Sequence, residues 1–263
     1  MSLHHLFCLN PRIADETSAS FKLEFDSSDR GHIKALRLQV GEHLAVIDAN
    51  QDYFEVEIDS VEGDDIWVHI AQHLEAPPDT LPVMLVQGLA KGEKMDTVLR
   101  ATTELGIAGF YPAVMKRSVV QLDQKKIAKR HARSSQIARS AALQAGRTTI
   151  PSIAETQPLS NIIDTWNEQD VVVLFWEEAP LDRDVSVLFD ATSSPIDHAD
   201  RLWIIIGPEG GITPEEVQTL NNSAASIFML SLGPTILRTE TAGIVASALV
   251  LNELRTHGKA HLR

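Results

Sequence analysis

The chain of 263 residues has a single cysteine, Cys8, which excludes an internal disulfide and any cysteine-based zinc site. Its ten histidines contain no H-E-x-x-H pair. His69 and His73 are four apart, but the first falls in an expected strand and the second where the expected linker begins, so no metal site is expected. There is no G-x-S-x-G nucleophile elbow, no GxxxxGK[ST] phosphate loop and no G-x-G-x-x-G, which leaves a serine hydrolase, a P-loop NTPase and a Rossmann dinucleotide site without motif support. No apolar run approaches the roughly 18 residues of a membrane span. The start, MSLHHLFCLNPR, lacks the basic region and long apolar stretch of a signal peptide, so a cytoplasmic protein with no membrane partner is expected. Positive charge is also scarce. With 23 Lys and Arg against 36 acids the net charge is −13, which taken alone argues against a nucleic-acid partner.

A hydrophobic fraction of 44 % with 22 % charged residues suits a globular chain with a sizeable core, and the length suits two modest domains. The charge is uneven along that length. Residues 1–73 carry five Lys/Arg against fourteen acids, and residues 151–200 carry one, Arg183, against eleven. Between them, residues 111–150 carry nine Lys/Arg and one acid, Asp123. A local basic block can steer a polyanion on an acidic protein, because exposed charges are screened beyond a Debye length of roughly 8 Å. A solvated helix face explains the same run without any partner.

The first seventy residues hold short β-like runs at 44–48, 54–60 and 66–72, separated by turn signals at Ala49-Asn50 and Gly63-Asp64. They predict a small all-β domain over 1–73, followed by a proline-rich linker over 74–82. From 83 to 263 strands and helices alternate. Strands are predicted at 83–89, 107–114, 171–176, 202–207 and 227–233, with helices near 92–105 and 123–145. The last three strands are near-continuous apolar runs, as in parallel strands covered on both faces, so an α/β domain with a mostly parallel sheet is expected. In the helix near 92–105, Met95, Val98, Leu99, Thr102 and Leu105 form one packing stripe, with Gly106 as its stop.

Two strand-to-helix loops carry the chemistry. In Ile206-Gly-Pro-Glu-Gly-Gly-Ile-Thr-Pro-Glu-Glu216, Thr213, Pro214 and Glu216 spell a capped helix start, and Gly207, Gly210 and Gly211 allow close approach of a ligand to backbone. Glu209 would repel a phosphate and suits a ligand with positive charge. A tight turn with no ligand is the simpler alternative. In Leu232-Gly-Pro-Thr-Ile-Leu-Arg-Thr-Glu-Thr-Ala242, Thr239 or Thr241 is placed to cap a final helix. Arg238 and Glu240 lie there between apolar segments, so each is expected to be paired, with the other or elsewhere, or engaged with a ligand. Lys34 and Arg37 put local positive charge on the acidic N-terminal domain, where they could hold a phosphate backbone or simply face water.

Taken in order, HIKALRLQVGE (32–42), KGEKMDTVLRATTELGI (91–107), RSVV (117–120), QAGRTTIP (144–151), IGPEGGIT (206–213) and LGPTILRTETA (232–242) resemble the RsmE family. These are the 16S ribosomal RNA uracil-N3 methyltransferases of the SPOUT class. The resemblance spans nearly the whole chain and implies an N-terminal PUA-like β-barrel that binds RNA and a C-terminal SPOUT α/β domain with a trefoil knot. It also implies S-adenosylmethionine as methyl donor, 16S rRNA or the small ribosomal subunit as substrate, and a homodimer. Carried over by motif, it makes Gly207, Pro208, Glu209, Gly210 and Gly211 one wall of the cofactor pocket. Leu230, Leu232, Gly233, Ile236, Leu237, Glu240, Thr241 and Ala242 form the other. Arg238 and Glu240 become the candidate catalytic pair, Arg238 stabilising the uracil anion or orienting the base and Glu240 acting as its partner or as proton acceptor. Lys34, Arg37, Arg117, Arg130, Arg139 and Arg147 become candidate RNA contacts.

Four positions depart from the family pattern: Lys116 before Arg117, Ser140 and Leu143 in the basic helix, and Thr235 before ILRTETA. The alternatives are a methyltransferase acting on another base or a ribose, a non-catalytic RNA-binding module and a small-molecule nucleotide-binding enzyme. The module would need neither intact glycine loop, and the small-molecule enzyme leaves the basic block unexplained.

Overall fold

The computed structural model describes residues 3–75, 80–119, 123–189 and 194–259, so positions 76–79 of the expected linker and Val120 of the RSVV segment lie outside the described residues. The chain forms two compact units, Met1–Pro78 with Arg139–Ile150 and Asp79–Ala138 with Pro151–Arg263. Residues 139–150, expected with the second domain, group with the first.

In the first unit β1 (His4–Phe7), β2 (Phe21–Lys22), α1 (Arg30–Leu36), β3 (His43–Ile47), β4 (Tyr53–Glu62) and β5 (Asp65–Leu74) follow in chain order. The sheet runs β1-β3-β4-β5-β2, parallel only between β1 and β3. Alternation explains β4, where Phe54, Val56 and Ile58 point into a core shared with Leu6, Ile13, Leu44 and Val68. Cys8 is buried in that core, and burial pushes its thiol up to about 12. Two expectations change here. The unit is not all-β, because Ile33 and Leu36, three apart, fold 30–36 into a helix whose apolar side packs on the core. His73 belongs to β5 and not to the linker, and His69 is held by Asp59 at 2.8 Å.

The second unit contains β6 (Val83–Gly88), α2 (Lys94–Leu105), β7 (Gly109–Val114), most of α3 (Gln124–Gln144), β8 (Ser152–Ile153), β9 (Gln157–Pro158) and α4 (Leu159–Ile163). It continues with β10 (Asp170–Phe175), β11 (Arg201–Ile206), α5 (Pro214–Asn221), β12 (Ser226–Leu230) and α6 (Thr239–Thr256). Its sheet is parallel, in the order β12-β10-β11-β6-β7-β8 with β9 also on β7. Strands β10 and β11 are buried almost throughout, as their apolar runs require. The third such run is different: β12 is an edge strand in which Leu230 alone is fully buried.

Helix α2 ends where Gly106 takes φ 116°, its N–H reaching the Thr102 and Thr103 carbonyls. At the N-terminal end of the sheet, Asp170 on β10 accepts from Arg201 at 2.6 and 2.8 Å and from the Trp203 indole at 3.1 Å. That places a buried carboxylate away from the loops where a ligand would sit, which leave the opposite ends of the strands. No described helix is long and apolar enough to cross a membrane.

Candidate active site

Strands β12, β10 and β11 are neighbours, and their C-terminal ends open into a cavity of about 710 Å³. Ligands of open parallel sheets bind at that edge. Both motif loops reach it. Gly207, Pro208, Glu209, Gly210 and Gly211 line one side, and Leu232, Gly233, Ile236, Leu237 and Ala242 another. Three expected wall residues do not line it: Leu230 is buried in β12, Thr241 is exposed on α6, and the half-buried Glu240 lies outside the lining.

The GPEGG loop is fixed from three directions. Thr213 caps α5 with the reciprocal bonds of a capping box, and Glu216 also accepts from the Lys116 amide at 2.7 Å, tying the turn after β7 to the helix start. Gly88, at the end of β6, lies against the loop backbone, so that a Cβ there would stand 2.7 Å from the Gly207 carbonyl carbon. Gly210 is equally confined: a Cβ would stand 2.8 Å from the Cβ of Arg117, whose guanidinium donates to the Gly210 carbonyl at 3.0 Å.

The second loop is joined to the first by a hydroxyl. Thr239 opens α6, but its side chain does not cap the helix as expected. It donates to the Gly207 carbonyl at 2.5 Å and accepts from the Gln87 amide at 2.8 Å, the glutamine being wholly buried. Close packing continues along α6, where Gly243 leaves room for Gln87.

Charges at the mouth follow a pattern the sequence did not disclose. Lys94, in the first turn of α2, is 3.1 Å from Glu209 and 3.2 Å from Glu240. Burial alone would raise the Glu209 pKa, but the Lys91 amide and the Lys94 ammonium outweigh it and hold the carboxyl below its usual value. Hydrogen bonds to both carboxylates raise the pKa of Lys94. Glu240 is thus the partner of Lys94 and not of Arg238. The Arg238 guanidinium is exposed, lines the cavity and has no ion-pair or hydrogen-bond partner among the described residues, so burial does not force it to pair. Lys94, Gln87 and Gly88 escaped the sequence reading because each meets its partner more than a hundred residues away, where spacing carries no signal.

The candidate RNA contacts divide. Lys34 and Arg37 are exposed beside a cavity of about 540 Å³ in the first unit that Arg30 also lines. Arg147 bonds Thr149 at 3.3 Å. Arg130 is half-buried. Arg139 is engaged within the first unit: its Nε and Nη2 grip the buried Asp29 at 2.5–3.0 Å, Nη2 also donates to the Phe7 carbonyl, and the guanidinium lies over the Phe7 ring. Of the four departures, Leu143 is buried with Phe7, Ile47 and Ala142, and Ser140 is exposed beside it. Lys116 reaches Glu215 at 3.4 Å, and Thr235 lines the cavity. Among the described residues no three His, Cys, Asp or Glu side chains converge as metal ligands.

Fold and site together define an α/β protein with a ligand cavity at the strand ends of a parallel sheet, carried with a small β-rich unit. Residues 77–251 match the RNA methyltransferase domain family. Ribosomal RNA small subunit methyltransferase E of Bacillus subtilis is 32 % identical over 83 % of this chain and 84 % of its own length. The protein of that name from Rickettsia conorii is 27 % identical over 92 % and 93 %. A Legionella pneumophila structure solved with bound S-adenosylmethionine is 26 % identical, with a TM-score of 0.71 over 98 % of both chains. The Neisseria gonorrhoeae ribosomal RNA small subunit methyltransferase E structure shares the fold, with a TM-score of 0.76 at 23 % identity over 97 % of this chain and 98 % of that one. The chain belongs to the ribosomal RNA small subunit methyltransferase E family of RNA methyltransferases, as the paired motifs implied.

Proposed function

We propose that the protein methylates N3 of a uridine in 16S rRNA of the small ribosomal subunit, using S-adenosylmethionine, as a cytoplasmic homodimer. The observation that carries this reading is the convergence of the GPEGG and LRTETA loops on one cavity, joined through Thr239 and Lys94.

The residues fit the donor. Trp176 lines the cavity with its indole N–H buried and unpartnered, a donor awaiting an acceptor. Loop backbone and apolar side chains give adenine a surface, and the Glu177, Glu178 and Glu209 carboxylates suit a cationic ligand. Bound there, S-adenosylmethionine supplies an electrophilic methyl group on a sulfonium.

Uracil N3 is a poor nucleophile until its proton passes to water, and negative charge then spreads to the flanking carbonyl oxygens. Arg238, unpaired at the cavity, is the group to stabilise that anion and orient the base. Lys94 holds the Glu240 carboxylate, which makes Glu240 a positioning group for the loop. Lys34, Arg37, Arg117, Arg130 and Arg147 provide RNA contacts, with the first unit acting as the PUA-like RNA-binding domain. Exposed Leu181, Ile236 and Leu249 supply apolar surface for a second copy, Ile236 being 90 % exposed.

Calorimetric titration with S-adenosylmethionine, followed by mapping of methyl groups on small-subunit RNA and on intact subunits, tests the reading. Saturable donor binding and a single N3-methyluridine are expected. Absence of donor binding would remove the proposal, and a methyl on another base or a ribose would replace its substrate.

A further inference from the structure

The first turn of α2 has a cavity on each side. Lys94 faces the one already described, while Glu93, Met95 and Asp96 line a second, of about 250 Å³, covered by the basic helix α3 and walled by Phe110 of β7. The second cavity takes one nucleobase and is too small for a base pair.

Its polar groups are unevenly engaged. Arg133 is committed to Asp96 at 2.6 Å. His131 Nε2 lies 3.0 Å from the Ile153 carbonyl, to which it donates. Arg130 is different: its Nη1 is sealed from solvent with no hydrogen-bond partner, and the guanidinium has no ion pair among the described residues. An orphaned buried donor is unfavourable, and a ligand acceptor would satisfy it. The Glu93 carboxylate likewise has no hydrogen bond or ion pair among the described residues, and it lines the same space.

A phosphate does not suit this set, because the unpaired Glu93 carboxylate would repel it. A planar ring with acceptors on one edge and donors on another does, over the apolar Phe110 and Met95. Guanine is the base that answers both: O6 and N7 accept from an arginine, while N1–H and the 2-amino group donate to a carboxylate. We infer that the cavity formed by Glu93, Phe110, Arg130 and His131 holds an unpaired guanine of the RNA substrate, Arg130 donating to it and Glu93 accepting from it. This inference rests on the RNA methyltransferase reading and adds to it a base-reading pocket beside the donor cavity. Arg130 then reads a base and does not contact a phosphate.

The test uses the full chain, its Arg130→Met variant and its Glu93→Gln variant, the last altering an exposed side chain. Binding of GMP, AMP, CMP and UMP is measured in the presence of S-adenosylmethionine, together with methylation kinetics on small-subunit RNA at several salt concentrations. The unaltered protein should prefer GMP by about tenfold, the discrimination of one good base contact. Both variants should lose that preference, and Arg130→Met should raise KM for RNA by about tenfold at unchanged donor affinity and unchanged salt slope. Equal binding or no binding of the four nucleotides would overturn the inference, as would an unchanged KM in Arg130→Met. A salt slope reduced by about one would instead make Arg130 a phosphate contact and equally sink it. If the unaltered protein binds no donor and methylates no RNA, the functional reading fails by itself, while the nucleotide preference still decides the pocket.

Discussion

At the scale of the residue, Thr239 illustrates how a motif position acquires a different job in the fold. Its hydroxyl satisfies the Gly207 carbonyl and the Gln87 amide together, so replacing it with the near-isosteric valine leaves two polar groups unpaired. Thr239→Val should lower unfolding stability by about 1–3 kcal/mol, read from denaturant titration, and weaken donor binding in the same preparation. Arg238 makes the opposite case. It holds nothing in place, so Arg238→Ala should leave both stability and donor affinity unchanged while single-turnover methylation falls by about 10²–10³, the usual loss on removing a donor aimed at developing charge. Full methylation rate in that variant would end its assignment. Both residues stood out in the sequence because they sit in a recurrent motif. Lys94 did not, since its two carboxylate partners come from loops that only the folded sheet brings to α2.

At the scale of the element, the sheet of the second unit depends on one polar contact at its lower end and one absent side chain at its upper end. Burial by itself would raise the Asp170 pKa, but Arg201, the Asn167 amide and the Trp203 indole outweigh it and hold the carboxyl below its usual value. A carboxyl depressed in the folded state stabilises the protein above its unfolded pKa, and that contribution is lost as pH falls through the folded value. Urea unfolding of Asp170→Asn should therefore show a weaker loss of stability below about pH 4 than the unaltered protein, from a lower starting point at pH 7. At the upper end Gly88→Ala would push its new methyl into the GPEGG backbone. Donor affinity should drop by about tenfold or more, measured by calorimetry, with the far-ultraviolet circular dichroism unchanged.

The long elements of this unit were legible because periodicity and apolar runs are local properties. The short strands β1 and β2 were not, since each is defined by pairing with a distant strand. Strand β12 was misread as covered on both faces because an apolar run does not say which strand ends the sheet.

At the scale of the whole molecule, net charge describes the RNA interface poorly. The basic block at 111–150 contains Arg133 and Arg139, both held by carboxylates, while the acidic first unit presents exposed Lys34 and Arg37 beside Arg30. Affinity for RNA should fall steeply with salt in spite of the net charge of −13. The double variant Lys34→Ala/Arg37→Ala should reduce the salt slope of RNA binding by about two while leaving donor affinity alone. An unchanged slope would remove the first unit from the interface.

The burial of Cys8 has a practical consequence for watching this protein at work. The only thiol in the sequence is inside the first unit and stays protonated through the neutral range, so thiol-reactive dyes and spin labels will pass it by. A cysteine introduced at the exposed Ile236 then becomes the sole reporter, with no background to subtract. One labelled position at the cavity rim can follow donor entry.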